Sequence, residues 1–198
     1  MLNKEWPAKN YAVGAYIQAL ISDDYTRDLQ LKPNDDVLDI GCGDGSYSTR
    51  IIEKIPKGSF VGIDTSQNML DIARQTLTHY ANVILQENDV TQMAFIDQFD
   101  CIVSFWCLQW TSDIVLAFKS MIKALRKGGQ VLTVFAMGDD PFTQIYKIVK
   151  KSGEFPELAH FKSPIDYSQF EGLDKRLALI PFKRFELTLC EQQFPPAH

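Results

Sequence analysis

Short hydrophobic segments alternate with amphipathic segments from residue 36 to residue 136. Five of the hydrophobic segments are rich in Val, Ile, Leu and Phe, which is typical of strands buried on both faces of a parallel sheet. They span residues 36–40, 59–64, 82–86, 99–105 and 130–136. Repeated strand-then-helix units predict an α/β fold with a doubly wound, mostly parallel sheet and helices on both faces.

Three amphipathic segments between these strands are predicted helices. Residues 46–55 and 66–77 each begin with a serine, a residue suited to cap a helix N-terminus. Residues 113–126 place their apolar side chains on one face, and the Gly128-Gly129 pair is predicted to end that helix.

The remaining segments are predicted to flank this core. Residues 10–30 favour one or two helices, 140–151 favour a helix that opens at Asp140-Pro141, and 184–190 alternate like a late strand. The chain is therefore interpreted as a single domain, 1–198. Its parts are N-terminal helices (1–35), the core (36–136) and a phenylalanine-rich cover with the late strand (137–198).

Composition is that of an ordinary globular domain. The chain has 198 residues, 45% of them hydrophobic and 23% charged, with a formal net charge of −5. The acidic balance disfavours a nucleic-acid partner, and no apolar run approaches the roughly 20 residues that a membrane span needs. The N-terminal segment lacks the apolar stretch of a secretory signal, so we expect a cytoplasmic protein.

Cysteine and histidine spacing gives no sign of a metal site. The four cysteines (Cys42, Cys101, Cys107 and Cys190) form no CxxC pair. Structural zinc needs closely spaced ligand pairs, so small buried thiols in a reducing compartment are the favoured interpretation. None of the three histidines is an obvious general base at a predicted strand end.

The most informative stretch is VLDIGCGDG at residues 37–45, a strand followed by Gly41, Gly43 and Gly45. Glycines permit positive φ and let the backbone approach a ligand closely. In parallel sheets, ligands bind beyond the carboxyl ends of the strands, first of all at such a strand–helix loop. The GxGxG spacing differs from the GxGxxG of dinucleotide-binding loops, which disfavours a nicotinamide dehydrogenase; a purely structural turn remains an alternative.

Two further strand ends carry polar groups suited to a nucleoside. Asp64 ends the second strand in VGIDTS, where a carboxylate can accept hydrogen bonds from both ribose hydroxyls. Asp89 and Val90 follow the third strand, where the carboxylate and a backbone N–H suit an adenine edge. Taken singly, Asp64 could cap the next helix and Asp89 could be a turn residue. Together with the glycine loop, they are hard to explain by turn chemistry alone.

These motifs resemble those of the class I S-adenosylmethionine-dependent methyltransferases over roughly residues 10–136. The resemblance implies a Rossmann-like sheet, S-adenosyl-L-methionine as cofactor and S-adenosyl-L-homocysteine as product. The implied cofactor-binding residues are Asp39, which fixes the loop and the amino-acid end; Gly41, Gly43 and Gly45 around the methionine part; Asp64 at the ribose; Met69 packed on adenine; and Asp89 with Val90 at the adenine edge. A sulfonium cofactor without phosphates agrees with a glycine loop that lacks basic residues.

The segment FDCIVSFWCLQW at residues 99–110 is similar to one in small-molecule carboxyl methyltransferases of the trans-aconitate and juvenile hormone acid type. The tetrapeptide that amino-methylating nucleic-acid enzymes carry after this strand is absent. The similarity implies that Gln18 and Trp110 donate hydrogen bonds to a substrate carboxylate. Tyr11 lies two helical turns before Gln18 with Gly14 between them, and fits the same face. The alternatives are a core aromatic for Trp110 and a solvated helix residue for Gln18.

The resulting hypothesis is direct transfer of a methyl group to a carboxylate oxygen of a small organic acid. A carboxylate is already ionised at neutral pH, so no general base is needed. Sheets of this family have seven strands, whereas five and a late sixth are predicted here. The alternative is therefore a non-catalytic or truncated cofactor-binding module that works through a partner. We expect a monomer or homodimer with a small-molecule substrate and no membrane partner.

Overall fold

The computed structural model describes residues 18–27, 29–137, 141–156 and 165–190. Five strands in these residues form one sheet: β1 (Val37–Ile40), β2 (Phe60–Asp64), β3 (Val83–Glu87), β4 (Phe99–Phe105) and β5 (Leu125–Val134). They lie in the order β3-β2-β1-β4-β5, and every neighbouring pair is parallel. The predicted doubly wound parallel sheet is confirmed.

Helices in the described residues connect and flank the strands. They are α1 (residues 18–26), α2 (Thr49–Ile52), α3 (Gln67–Thr76), α4 (Ile114–Ala124), α5 (Pro141–Ser152) and α6 (Leu173–Leu177), with short 3₁₀ turns at Leu108–Trp110 and Tyr167–Phe170. As predicted, the Ser66 hydroxyl caps α3, accepting a hydrogen bond from the Met69 N–H at 3.3 Å. None of the helices described here is long and apolar enough to cross a membrane.

The predicted helix over residues 46–55 is shorter, and its predicted serine cap is wrong. The turn after the glycines continues to Ser48, and α2 begins only at Thr49. Ser46 instead donates its backbone N–H to the Asp44 carboxylate at 3.0 Å. Ser48 occupies the capping position without a capping bond, because its hydroxyl donates to Asp39 at 2.7 Å.

The predicted helix end at Gly128-Gly129 is also wrong, because α4 ends at Ala124 and β5 begins one residue later. The glycine pair lies inside β5, where the register against β4 shifts. Gly128 has a positive φ of 86°, and a Cβ on Gly129 would stand 2.7 Å from the Asp100 carbonyl oxygen. The pair therefore permits an irregular, closely approached strand.

The predicted late strand over residues 184–190 is wrong, since these residues form no strand. Phe185 instead stacks on Phe182 with ring centroids 5.5 Å apart, and both rings pack against the main core. Leu189 is exposed. Within 184–190, Phe185 and Leu187 are half-buried and their neighbours are exposed, so the pattern alternates without any strand pairing.

Hydrophobic side chains cover both faces of the sheet. Leu38 and Ile40 join the larger cluster, which contains the buried face of α4, whereas Val37 packs with Ile51 and other residues near α2. Successive strand residues point to opposite faces. Asp39 therefore shares the face of Val37 and is buried beneath α2. The parallel strands bring their carboxyl ends, and the polar residues there, to one edge of the sheet.

Candidate functional site

The loop after β1 turns through three glycines in the left-handed region. Gly41, Gly43 and Gly45 have φ values of 73°, 57° and 76°. At Gly41 a Cβ would stand 2.4 Å from the side chain of Cys107, so packing alone forbids a larger residue. At Gly43 the nearest atom would be the Met69 Cε at 3.6 Å, an ordinary contact. At Gly43, therefore, the backbone conformation requires glycine and crowding does not.

Asp39 links the end of β1 to the far end of the glycine loop. Its carboxylate accepts the 2.7 Å hydrogen bond from the Ser48 hydroxyl, and the side chain is almost completely buried. Burial raises the pKa of Asp39 to about 7, the nearby Asp64 charge adds to the rise, and the Ser48 hydrogen bond opposes it. A role in fixing the loop agrees with this geometry, whereas contact with a cofactor stays a prediction.

Asp64 ends β2 and accepts backbone hydrogen bonds from two sides. One carboxylate oxygen accepts from the Gly43 N–H and the other from the Ser66 N–H, both at 2.9 Å. The carboxylate therefore joins the glycine loop to the N-terminus of α3. Ribose binding by this carboxylate stays a prediction.

The end of β3 is tied to the end of β2 through the Asn88 N–H, which donates to the Asp64 carbonyl at 3.0 Å. Asp89 then forms a local turn, one carboxylate oxygen accepting from the Thr91 N–H and hydroxyl at 2.8 and 2.7 Å. The Val90 side chain is buried in the core, as is Met69 beside the glycine loop. Adenine recognition by Asp89 and Val90 stays a prediction.

A cavity of about 110 Å³ opens beside the glycine loop. Its walls come from α1, the loop and the end of β4, with Gln18, Ala19, Ser22, Asp39, Gly41, Cys42, Gly43, Asp44, Ser46, Tyr47, Arg50, Phe105 and Trp106 lining it. The predicted residues Asp64, Met69, Asp89 and Val90 lie farther along the strand ends and do not line this cavity. Sequence reasoning missed Ser22, Tyr47 and Arg50; the i, i+3 spacing of Tyr47 and Arg50 just after the loop was the available signal.

The two residues predicted to donate hydrogen bonds to a substrate carboxylate do not line the same cavity. Gln18 lines the cavity, whereas Trp110 ends the 3₁₀ turn after β4, is 43% exposed and is not part of the cavity wall. Trp106 stands in the wall instead, and its indole N–H donates to the Gln18 carbonyl at 3.1 Å. Tyr11 and Gly14 lie outside the described residues.

The strand ends form an acidic centre. Cys107 packs on Gly41, and burial together with the charges of Asp64 and Asp39 raises the pKa of its thiol to about 12. The thiol is therefore neutral and unreactive at physiological pH. Arg50, a cation in the cavity wall, forms an ion pair with Asp23 at 2.9 Å. Within the described ranges, no cluster of His, Cys, Asp and Glu side chains could hold a metal ion.

Comparison with known proteins finds methyltransferases. Residues 37–129, just under half of the chain, match the family model described as Methyltransferase domain. An Invertebrate iridescent virus 6 protein, provisionally named methyltransferase 235L, is 29% identical over 82% of this chain and 60% of its own length. Juvenile hormone acid O-methyltransferase of Drosophila melanogaster is 26% identical over 77% of this chain and 56% of its own. The chain thus spans less than two thirds of these relatives.

Solved structures share the fold. A Methanococcus maripaludis protein, provisionally described as an S-adenosyl-L-methionine-dependent methyltransferase, aligns over 89% of this chain and 81% of its own with TM-score 0.60 and 20% identity. The S-adenosylmethionine-dependent methyltransferase of Aquifex aeolicus aligns over 66% and 78% with TM-score 0.55 and 16% identity. The fold is therefore the Rossmann-like fold of the class I methyltransferases. Both of these solved proteins are described as dependent on S-adenosyl-L-methionine.

The described residues fit this cofactor. S-adenosyl-L-methionine carries a sulfonium and an ammonium cation and no phosphate. Asp39 and Asp64 place two carboxyl groups beside the loop, one bonded to the Ser48 hydroxyl and the other to the Gly43 N–H. The loop from Gly41 to Ser48 contains no basic residue. At Gly43 the left-handed backbone requires glycine, and a Cβ there would only reach ordinary contact with Met69. A phosphate-bearing cofactor would face repulsion from the same carboxylates.

Proposed function

We propose that the protein transfers the methyl group of S-adenosyl-L-methionine to a carboxylate oxygen of a small organic acid. The observation that carries the proposal is Gln18, a neutral amide donor that α1 places in the wall of the cavity beside the glycine loop. The names of two relatives point the same way: juvenile hormone acid O-methyltransferase, and malonyl-(acyl-carrier protein) O-methyltransferase of Priestia megaterium, 24% identical over 79% of this chain.

In this proposal each strand end binds a different part of the cofactor. The glycine loop and Asp39 bind the methionine part, Asp64 binds the ribose, and Met69, Asp89 and Val90 hold the adenine. The support is the order in which β1, β2 and β3 present these residues along one sheet edge. The existing bonds of Asp64 to the loop and to α3 would orient its carboxylate before a ligand arrives.

Gln18 and Trp110 would orient the substrate. The bound cofactor supplies an electrophilic methyl group on sulfur, and the acid supplies an ionised oxygen, so no residue has to remove a proton. An amide and an indole are neutral donors that hold a carboxylate without a full ion pair. Correct alignment of the carboxylate oxygen with the methyl group can lower the activation free energy by several kcal/mol, on the order of other proximity effects in enzymes. Trp110 would have to approach Gln18 once a substrate is bound.

Incubation with radiolabelled S-adenosyl-L-methionine and a panel of organic acids tests the proposal. We expect a labelled methyl ester from at least one acid. Gln18→Ala should raise KM for that acid, whereas Gln98→Ala, the same change at an exposed position, should behave like the wild type. Cofactor binding without ester from any acid would overturn the proposal.

The position of Trp110 outside the cavity wall favours a second candidate, a cofactor-binding module that acts through a partner. The same assay separates the two. A module would bind S-adenosyl-L-methionine in calorimetry and form no ester, and Gln18→Ala would then leave the measured affinity for every acid unchanged.

A further inference from the structure

Trp106 has a backbone conformation that non-glycine residues rarely adopt. It follows β4 with a positive φ of 58°, in the left-handed region. Its N–H donates to the Val134 carbonyl of β5 at 2.7 Å, and its carbonyl accepts from the Gln109 side-chain amide at 2.9 Å. The residue is thus held in a strained conformation by bonds to the sheet and to the following turn.

The side chain of Trp106 reaches from the sheet edge to α1. Its indole N–H donates to the Gln18 carbonyl and to the Ser22 hydroxyl oxygen, each at 3.1 Å. The Ser22 hydroxyl in turn donates to the Gln18 carbonyl at 2.8 Å, and Ser22 is fully buried. One indole N–H therefore joins the first described turn of α1 to the end of β4.

The second half of α1 is attached elsewhere. Asp23 pairs with Arg50 at 2.9 Å, and the Thr26 hydroxyl lies 3.1 Å from the Tyr47 hydroxyl. These contacts hold α1 to the segment that follows the glycine loop. They lie beyond Gln18 and Ser22, the α1 residues that face the cavity together with Ala19.

We infer that Trp106 is a positioning residue whose indole N–H holds the cavity-facing turn of α1 beside the cavity and so places Gln18. This deepens the proposed function and rests on it for the identity of the ligand. An aromatic ring without an N–H could pack in the same place. Only the indole N–H can donate to the two acceptors on α1. The strained backbone aims the ring at these acceptors from a fixed point on the sheet.

The test combines Trp106→Phe, Ser22→Ala and the double variant, with Tyr80→Phe as control. Trp106→Phe keeps an aromatic ring and removes the N–H; Tyr80→Phe likewise removes one donor, to Glu53 at the surface. We expect faster amide hydrogen exchange in residues 18–26 for Trp106→Phe. The KM for the acid that Gln18 is proposed to bind should rise about three- to tenfold, the effect of losing one hydrogen bond. The control should match the wild type.

The double variant distinguishes a hydrogen bond from ring packing. If both substitutions break the same contact, the double variant will be little weaker than Trp106→Phe alone. KM for the acid should rise while kcat changes less than about twofold, since no reacting group is removed. Wild-type exchange in α1, or additive effects of the two substitutions, would overturn the inference. A wild type that binds no S-adenosyl-L-methionine would refute the proposed function, and exchange in α1 would still decide the role of Trp106.

Discussion

Asp39→Asn separates the structural role of this buried carboxyl from its charge. Asp39 is 3% exposed and accepts the Ser48 hydrogen bond at 2.7 Å. Asparagine has nearly the same shape and keeps an oxygen that can accept this bond. The substitution therefore removes the ionisable group while it leaves the link between β1 and the glycine loop in place.

The magnitude follows from the pKa of Asp39, which burial raises from 3.8 to about 7. The folded protein then binds this proton more tightly than the unfolded chain, so its stability falls as pH rises from about 4 to about 7 and levels off above that. At 1.36 kcal/mol per pKa unit, a shift of about 3 units corresponds to roughly 4 kcal/mol as an upper bound. An asparagine side chain cannot ionise, so the Asp39→Asn variant should gain stability relative to the wild type over this pH range.

Urea unfolding of both proteins at several pH values between 4 and 8 measures the difference. We expect near-equal free energies of unfolding at the acid end and an increasing advantage for the variant toward pH 7. Asp24→Asn, at an exposed position on α1, should run parallel to the wild type. Parallel pH profiles for Asp39→Asn and the wild type would refute the reasoning. In the wild type, cofactor affinity should also increase through pH 7, because the ionised carboxylate attracts a cation.

Three further substitutions test the site and the opposite edge of the sheet. Asp64→Ala removes a carboxylate that accepts two backbone N–H bonds, so cofactor binding should be lost in calorimetry while circular dichroism still shows a folded protein. Trp110→Ala should spare cofactor affinity and lower kcat/KM for the acid roughly 10- to 100-fold, the effect of one charge-assisted hydrogen bond; equal losses in both would argue against a substrate role. Arg126→Ala removes the partner of Asp36 and Asp100, and should cost about 1 kcal/mol in urea unfolding because all three side chains are 31–40% exposed.

The sheet could be predicted from the sequence because strands buried on both faces carry a local signal. The predicted bounds of β4, 99–105, agree with Phe99–Phe105, and β1 and β2 end at the predicted residues Ile40 and Asp64. The positive φ values at Gly41, Gly43 and Gly45 follow from the same local reasoning. Ser66 capped its helix as predicted, since its hydroxyl has a partner three residues away.

The sequence-based predictions were wrong where contacts between segments distant in the chain decide the local structure. Ser48 is drawn to Asp39, so the helix after the loop begins later and without a serine cap. Gly128 and Gly129 resemble a helix end, yet the pairing of β5 with β4 places them in a strand. The bonds from Trp106 to α1 span 84 and 88 residues, and no spacing pattern along the chain encodes them.

The carboxylates at the strand ends affect both the stability of the glycine loop and its affinity for a cationic cofactor. Asp39 and Asp64 hold the glycine loop through hydrogen bonds, and their proximity contributes to the raised pKa of Asp39. Each carboxylate stabilises the loop as an acceptor and destabilises it as a neighbouring charge. A cation bound between them would offset that repulsion while the hydrogen bonds persist. Cofactor binding should therefore stabilise the fold more above pH 7, where Asp39 is ionised, than at pH 5, where Asp39 holds its proton.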